Sequence, residues 1–118
     1  IIEGLDLGST IYPKYITANY ILRYVRAMGN SLSSNVETLY QILDNRAEAL
    51  EFLVREPSAV TGIPLSDLNL KDNLLIACIN RGRMIRIPRG QDTIQVGDTV
   101  IVVTSVKGLT DLTDILKR

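Results

Sequence analysis

Four arginines, Arg81, Arg83, Arg86 and Arg89, fall within a stretch of nine residues, in a chain whose 13 basic and 13 acidic residues cancel. A guanidinium is a planar fork of donors that matches a phosphate or a carboxylate, so this cluster is where the sequence points to chemistry. Two readings stand beside each other. The arginines are either the solvated surface of a hairpin, or part of the group forms a site for an anion or nucleotide. Nucleic acid is disfavoured, because no aromatic residues alternate with the charges and the net charge is zero.

What the chain lacks narrows the rest. It has no His, which removes the commonest general base and metal ligand together. The single cysteine, Cys78, sits in the apolar run Leu74-Leu75-Ile76-Ala77-Cys78-Ile79. It reads as a buried, inert thiol, a disulfide framework is excluded, and a reducing cytoplasm is the natural setting. No serine-hydrolase elbow, zinc-protease helix, paired-cysteine motif, P-loop or dinucleotide glycine motif is present. Asp111 and Asp114 read as a solvated helix surface rather than a metal site. The expectation is therefore a protein that is not an enzyme, with no catalytic and no metal-binding residue. No apolar run approaches the roughly 20 residues that span a bilayer, and Ile1-Ile2-Glu3-Gly4 is not the basic start of a secretory signal. Starting without Met, the chain reads as a fragment of a longer protein.

The arginines need a scaffold, and the pattern around them is one of strands. Leu74–Arg81 is too apolar to have a solvated face along most of its length, which implies cover on both sides. Gly82-Arg83 suits a two-residue turn of type II′. Met84–Ile87 returns and Pro88 ends it. Arg89–Asp92 is a turn, Thr93–Val96 resumes the sheet, Gly97-Asp98 turns or bulges it, and Val100–Val103 is a further buried strand. Leu109, Leu112, Ile115 and Leu116, spaced by three and four, predict a C-terminal helix. Upstream, Ala49–Val54 reads as a strand and Pro64–Leu68 as a helical turn opened by its proline.

Ahead of that region the period becomes helical. Ile16, Tyr20, Ile21, Tyr24, Val25 and Met28 share one broad face, with Thr17 as N-cap and Gly29-Asn30 as the stop. A second helix is expected from Ser34 to Leu43, with Val36, Leu39, Tyr40 and Leu43 on one face, broken by Asp44-Asn45-Arg46. Thr10-Ile11-Tyr12 is a short β-like stretch before Pro13, and Gly4–Gly8 is glycine-rich punctuation. With hydrophobic residues at 46%, aromatics at 5% and no Trp, the core must be aliphatic. The order argues for an α+β fold, an antiparallel sheet with a covering C-terminal helix, preceded by a helical segment. The stripe Ile16, Tyr20, Ile21, Tyr24 and Val25 stands outside the β-rich part and suits a helix–helix interface between two copies.

At this point the sequence becomes recognisable. Leu74-Leu75-Ile76-Ala77-Cys78-Ile79-Asn80-Arg81-Gly82, followed by Ile87-Pro88-Arg89-Gly90-Gln91-Asp92-Thr93 and Gly97-Asp98-Thr99-Val100-Ile101-Val102, resembles the TrkA-C domain, also called the RCK C-terminal domain. Glu48–Phe52 and Thr61–Leu68 are similar to its first strand and turn. Ile11–Arg23 is similar to the segment that joins the Rossmann-like domain of TrkA proteins to this domain, including the helix that crosses to a partner subunit. The resemblance implies two parts: residues 1–45, the end of the Rossmann-like domain plus crossover helices, and residues 46–118, the TrkA-C domain. It implies a cytoplasmic, ligand-sensing, dimer-forming regulatory piece of a Trk or Ktr potassium transport system, held at the inner face of the membrane through a membrane-embedded transporter subunit and not inserted itself. It implies NAD(H) or an adenine nucleotide in the absent Rossmann-like part, none in this fragment, and cyclic di-AMP at the dimer interface of some family members. The strand and hairpin contacting that ligand correspond to Leu75, Ile76, Arg81 and Arg86. Two other readings remain, a purely structural dimerisation module and an effector domain of another RCK-regulated channel or antiporter.

Overall fold

The computed structural model of the chain describes residues 11–27 and 33–117. Its centre is a five-stranded sheet in the order β1-β2-β5-β3-β4, with every neighbouring pair antiparallel. The strands are β1 (Ile11–Ile16), β2 (Glu48–Val54), β3 (Leu74–Arg81), β4 (Met84–Arg86) and β5 (Thr99–Thr104). Two helices, α1 (Ala18–Ala27) and α2 (Ser33–Asp44), lie between β1 and β2, and short 3₁₀ turns occupy Leu65–Asp67 and Leu112–Ile115. The chain is α+β, as its pattern implies.

The sheet separates two apolar layers. Leu50, Phe52, Val54, Ile76, Ile79, Val100 and Val102 face one side, where Val60, Ile94, Leu109, Leu112 and Ile115 cover them. Ala49, Ala77, Cys78, Ile101 and Val103 face the other, covered by Ile21 and Val25 of α1 and by Leu39 and Ile42 of α2. The central strands β3 and β5 are thus buried on both faces. This is why their sequences run apolar without alternation.

One irregularity decides where the arginines point. Ile76 pairs with Val102 but Cys78 pairs with Ile101, so Ala77 is an extra residue in β3. Because side chains alternate, one inserted residue reverses the facing of everything after it. Ala77 and Cys78 both face the helices, while Ile79 returns to the same side as Ile76. Alternation onward from Ile79 brings Arg81 to that side as well.

The hairpin forms as expected. Arg81 pairs with Met84, Gly82 has φ +64° and Arg83 keeps a negative φ, the combination a II′ turn requires. Thr17 caps α1, its Oγ1 accepting from the Tyr20 amide at 3.3 Å, and α2 spans the predicted second helix. The predicted stop at Gly29-Asn30, Met28 and the Gly4–Gly8 segment lie outside the described residues, as does the side chain of Val36.

Three elements differ from expectation. Ile16 ends β1 instead of opening α1. It lies opposite Ala49, and the whole run Ile11–Ile16 pairs with β2, with Pro13 tolerated because β1 is an edge strand. Thr93–Val96 does not resume the sheet. Ile94 is buried, yet its backbone makes only an isolated bridge to Thr61. The neighbouring backbone groups bond the opposing loop: Gly62 N–H to Ile94 O at 2.8 Å, Leu65 N–H to Asp92 O at 2.9 Å and Ser66 N–H to Gly90 O at 2.8 Å. The C-terminal helix is a single 3₁₀ turn, Leu112–Ile115, with Leu112 and Ile115 buried. The Asp114 carboxylate holds its start, accepting from the Thr110 and Asp111 amides. The chain then straightens, because Lys71 N–H donates to Ile115 O and Lys117 N–H to Asn69 O.

Candidate functional site

Arg81 stands at the end of β3, facing the loop that leads into β5. Its Nε donates to Asp98 Oδ1 at 2.8 Å, and its Nη2 donates to Asp98 Oδ2 and to the Thr93 carbonyl, both at 2.9 Å. The Asp98 side chain is 1% exposed, the Arg81 side chain 46%. The Gln95 amide adds a third bond to the same carboxylate, at 2.8 Å. A carboxylate taken out of water needs such partners. Gly97, at φ +96°, makes the turn that brings Asp98 back to them. The hydrogen bond to Asp98 raises the Arg81 pKa, and the Coulombic attraction of Asp98 and Asp92 acts in the same direction against a lesser desolvation.

Arg86, across the hairpin, donates from Nη2 to Asp92 Oδ1 at 3.2 Å. The other oxygen of Asp92 accepts from the Arg89 amide at 2.6 Å, closing the Arg89–Asp92 turn. Arg81 and Arg86 together with Ile79, Gln91, Asp92 and Thr93 line a small cleft of about 120 Å³.

Leu75 and Ile76 belong to a different cleft. β4 pairs with only the last three residues of β3, so among the described residues no strand lies beside the edge of β3 from Leu74 to Cys78. There Leu75 and Ile76 line a cleft of about 180 Å³ whose other apolar walls are Leu65, Leu70 and Pro88. Its polar lining is Ser66, Gly90 and Arg89. Arg89 is exposed and, among the described residues, has no acidic partner for its guanidinium. The structure therefore divides the four expected ligand residues into two pairs, each on its own cleft. It also adds residues that the sequence reading missed. Asp92 and Asp98 are the partners of the arginines. The signal for them was available, since the four arginines are followed within nine residues by two acids that both sit at turns.

The expected interface stripe is also divided. Ile21 and Val25 are buried within the chain, while Ile16 and Tyr24 are half-buried and Tyr20 is 42% exposed. The Tyr20 and Tyr24 rings meet edge to face with centroids 4.7 Å apart and their hydroxyls 2.8 Å apart. This contact raises the Tyr20 pKa. Arg26 Nη2 donates to the Tyr40 hydroxyl at 2.6 Å, tying α1 to α2. Cys78 is fully buried, and desolvation pushes its thiol up to about 11. No cluster of potential metal ligands occurs among the described residues, and no described helix is long and apolar enough to cross a membrane.

Comparison with known proteins gives a consistent answer. Residues 49–117 match the TrkA-C domain. The chain is similar to the Trk system potassium uptake protein TrkA homolog 1 of Methanosarcina mazei, with 26% identity over 112 residues, covering 95% of this chain and 24% of that protein. It is 25% identical over 100 residues to the Trk system potassium uptake protein TrkA of Azorhizobium caulinodans, covering 85% of the chain and 20% of that protein. It is 32% identical over 111 residues to a TrkA homolog of Pyrococcus abyssi, covering 92% of the chain and 45% of that protein. The chain thus spans between a fifth and a half of the length of these relatives.

Proposed function

The chain belongs to the TrkA-C domain family, and from that membership we propose that it is a regulatory, ligand-sensing and dimer-forming part of a Trk-type potassium uptake system. The observation that carries this reading is the match of residues 49–117 to the family domain. The relatives' names extend it to potassium uptake. Such a part works from the cytoplasmic side of the membrane and acts on a membrane-embedded transporter subunit. It performs no catalysis of its own. It shifts its partner between states by binding one of them better than the other, with the strength of that preference altered by an effector.

The effector proposed for this fragment is an anionic nucleotide, with cyclic di-AMP first. NAD(H) or an adenine nucleotide belongs to the Rossmann-like part that TrkA proteins carry ahead of this region. Homodimerisation uses what the chain leaves uncovered of the expected stripe: exposed Tyr20 and the half-buried Tyr24 on α1, with half-buried Ile16 at the end of β1. A second reading, a purely structural dimerisation module, is favoured by one observation: Arg81 and Arg86 are already paired to acids within the chain.

Isothermal titration of the 118-residue chain with cyclic di-AMP and with NADH, alongside light scattering, tests these readings. The sensing role requires a dimer that releases or absorbs heat with cyclic di-AMP at micromolar concentration and gives none with NADH. A dimer silent to both supports the structural module. A chain that stays monomeric at high concentration overturns the dimer.

A further inference from the structure

Apart from the two clefts and the α1 stripe, the outer edge of β4 is the surface on which charge and exposed apolar area coincide. We propose that this edge docks a partner protein by pairing with an extended segment that alternates acidic and apolar residues. The proposal is independent of any small-molecule effector.

β4 is the last strand of the sheet, with no strand beyond it among the described residues. Arg81 and Met84 close the two-residue turn and so form a hydrogen-bonded pair. Such pairs alternate along an antiparallel ladder. Ile85, opposite Asn80, therefore falls in a non-hydrogen-bonded pair, with its N–H and its C=O both directed away from β3. No loop among the described residues supplies a partner for either group. A free donor and a free acceptor on one edge residue are what an added strand pairs with.

The side chains define the added strand. Met84 lies on the Arg81 face and is 70% exposed, the most of any large apolar side chain among the described residues. Arg86 shares that face. Its side chain is 53% exposed and is held only by Asp92, at 3.2 Å. Arg83, in the turn, is exposed and has no acidic partner among the described residues. Ile85 points the other way, half-buried against the helix-side layer. A strand laid along β4 thus meets cations and a methionine on one face and an isoleucine on the other. Acidic residues suit the first face, where their methylenes also pack on Met84, and apolar residues suit the second. With a strand's period of two, that is an alternating sequence.

Charge selects among the possible occupants. A second copy pairing edge to edge would gather four arginines, Arg83 and Arg86 from each chain, in one small patch. Such charges are how edge strands keep identical copies apart. An anionic membrane would attract the same arginines, but surface binding of that kind draws on clusters of roughly four to eight basic residues. Outside residues 81–98 the chain holds a slight excess of acids, so no further basic surface supports it. Acidic side chains on a strand satisfy both the arginines and the free backbone groups of Ile85.

The test titrates the isotopically labelled whole chain with a short, blocked peptide alternating glutamate with valine. At millimolar peptide and low salt, the amide resonances of Arg83, Met84, Ile85 and Arg86 should shift. The Ile85 amide should exchange with solvent several-fold more slowly once its N–H is paired. Raising the salt should weaken binding, and a lysine–valine peptide should not bind. Arg83→Glu, at an exposed turn position, should melt with the parent and bind about fivefold more weakly. A glutamate–proline peptide keeps the charge but cannot pair as a strand, so equal binding by it overturns the strand pairing. Retention of the chain on phosphatidylglycerol vesicles, with no response to the peptide, overturns the proposal in favour of a lipid surface. Unchanged affinity in Arg83→Glu, shifts centred on Gln91–Thr93 instead of β4, or no response to the glutamate–valine peptide would each refute it.

Discussion

At the scale of single residues, the four-arginine cluster was legible as a concentration of charge but not as a set of contacts, because a sequence shows which cations are near each other and not which acids the loops return to them. Asp98 is the clearest case. It lies 17 positions from Arg81 and is buried solely because the Gly97 turn brings it back. Arg81→Ala should destabilise the fold by about 2–3 kcal/mol, less than a wholly buried pair because the guanidinium is half in water. Urea unfolding measures this, and adding Asp98→Asn to the same chain should recover part of the loss by removing the stranded charge. Cys78 makes a second prediction. Its thiol is raised from an ordinary 9.0 to about 11 by burial, so the folded chain holds the proton longer than the unfolded one. The corresponding stability is complete below pH 9 and is lost as pH rises toward 11. Two pKa units correspond to about 3 kcal/mol, of which about 2 kcal/mol is gone near pH 10.5. Comparing unfolding at pH 8 and about pH 10.5 should show the parent losing about 2 kcal/mol more than Cys78→Ala, whereas equal losses would mean that the thiol ionises as freely folded as unfolded.

At the scale of elements, what the sequence revealed depended on how local the determining interaction is. The Gly82-Arg83 turn was legible because its requirement is a single positive φ at one residue. Gly82→Ala meets no neighbour within 4 Å, so its cost is purely the backbone at φ +64°, about 1–2 kcal/mol. The same change at Gly90 has the opposite origin. Its φ is ordinary, but a Cβ there would lie 3.1 Å from Ser66 Cβ. Gly90→Ala should therefore cost on the order of 1 kcal/mol through overpacking, and Ser66→Gly should relieve it while leaving the cost of Gly82→Ala untouched. Thermal unfolding of the single and paired variants separates the two. The C-terminal helix and the Thr93–Val96 strand were misjudged for a common reason. Spacing reports which side chains belong to a buried face, and Leu112 and Ile115, marked by that spacing, are buried, as is Ile94. Spacing does not report who takes the backbone hydrogen bonds, which here go to the 61–71 loop. The Ala77 bulge was invisible because a strand buried on both faces has no alternation for an extra residue to break.

At the scale of the whole molecule, the helical first part and the β-rich second part share one of the two apolar layers, the one on the helix side of the sheet. An amphipathic helix announces that it needs cover but not which chain supplies it. The stripe that suggested a second copy gives two of its residues, Ile21 and Val25, to this chain's own sheet, where they join Leu39 and Ile42 over Ala49, Ala77, Cys78, Ile101 and Val103. The family match begins at residue 49, so all of that helical cover lies ahead of it. Burying four such side chains contributes roughly 6–12 kcal/mol at about 1.5–3 kcal/mol each, comparable to the ~5–15 kcal/mol net stability of a whole domain. A fragment of residues 46–118 should therefore not persist as a well-packed monomer. It should associate through the uncovered helix-side face of the sheet, and its Cys78, inert to thiol reagents in the full chain, should become reactive. The milder perturbation Ile21→Ala should cost about 2–5 kcal/mol while keeping the chain folded and Cys78 shielded. Size-exclusion chromatography with a timed thiol-labelling assay distinguishes the cases. A fragment that is monomeric, unfolds cooperatively and keeps Cys78 unreactive would show that the sheet carries its own stability and that α1 and α2 are only docked on it.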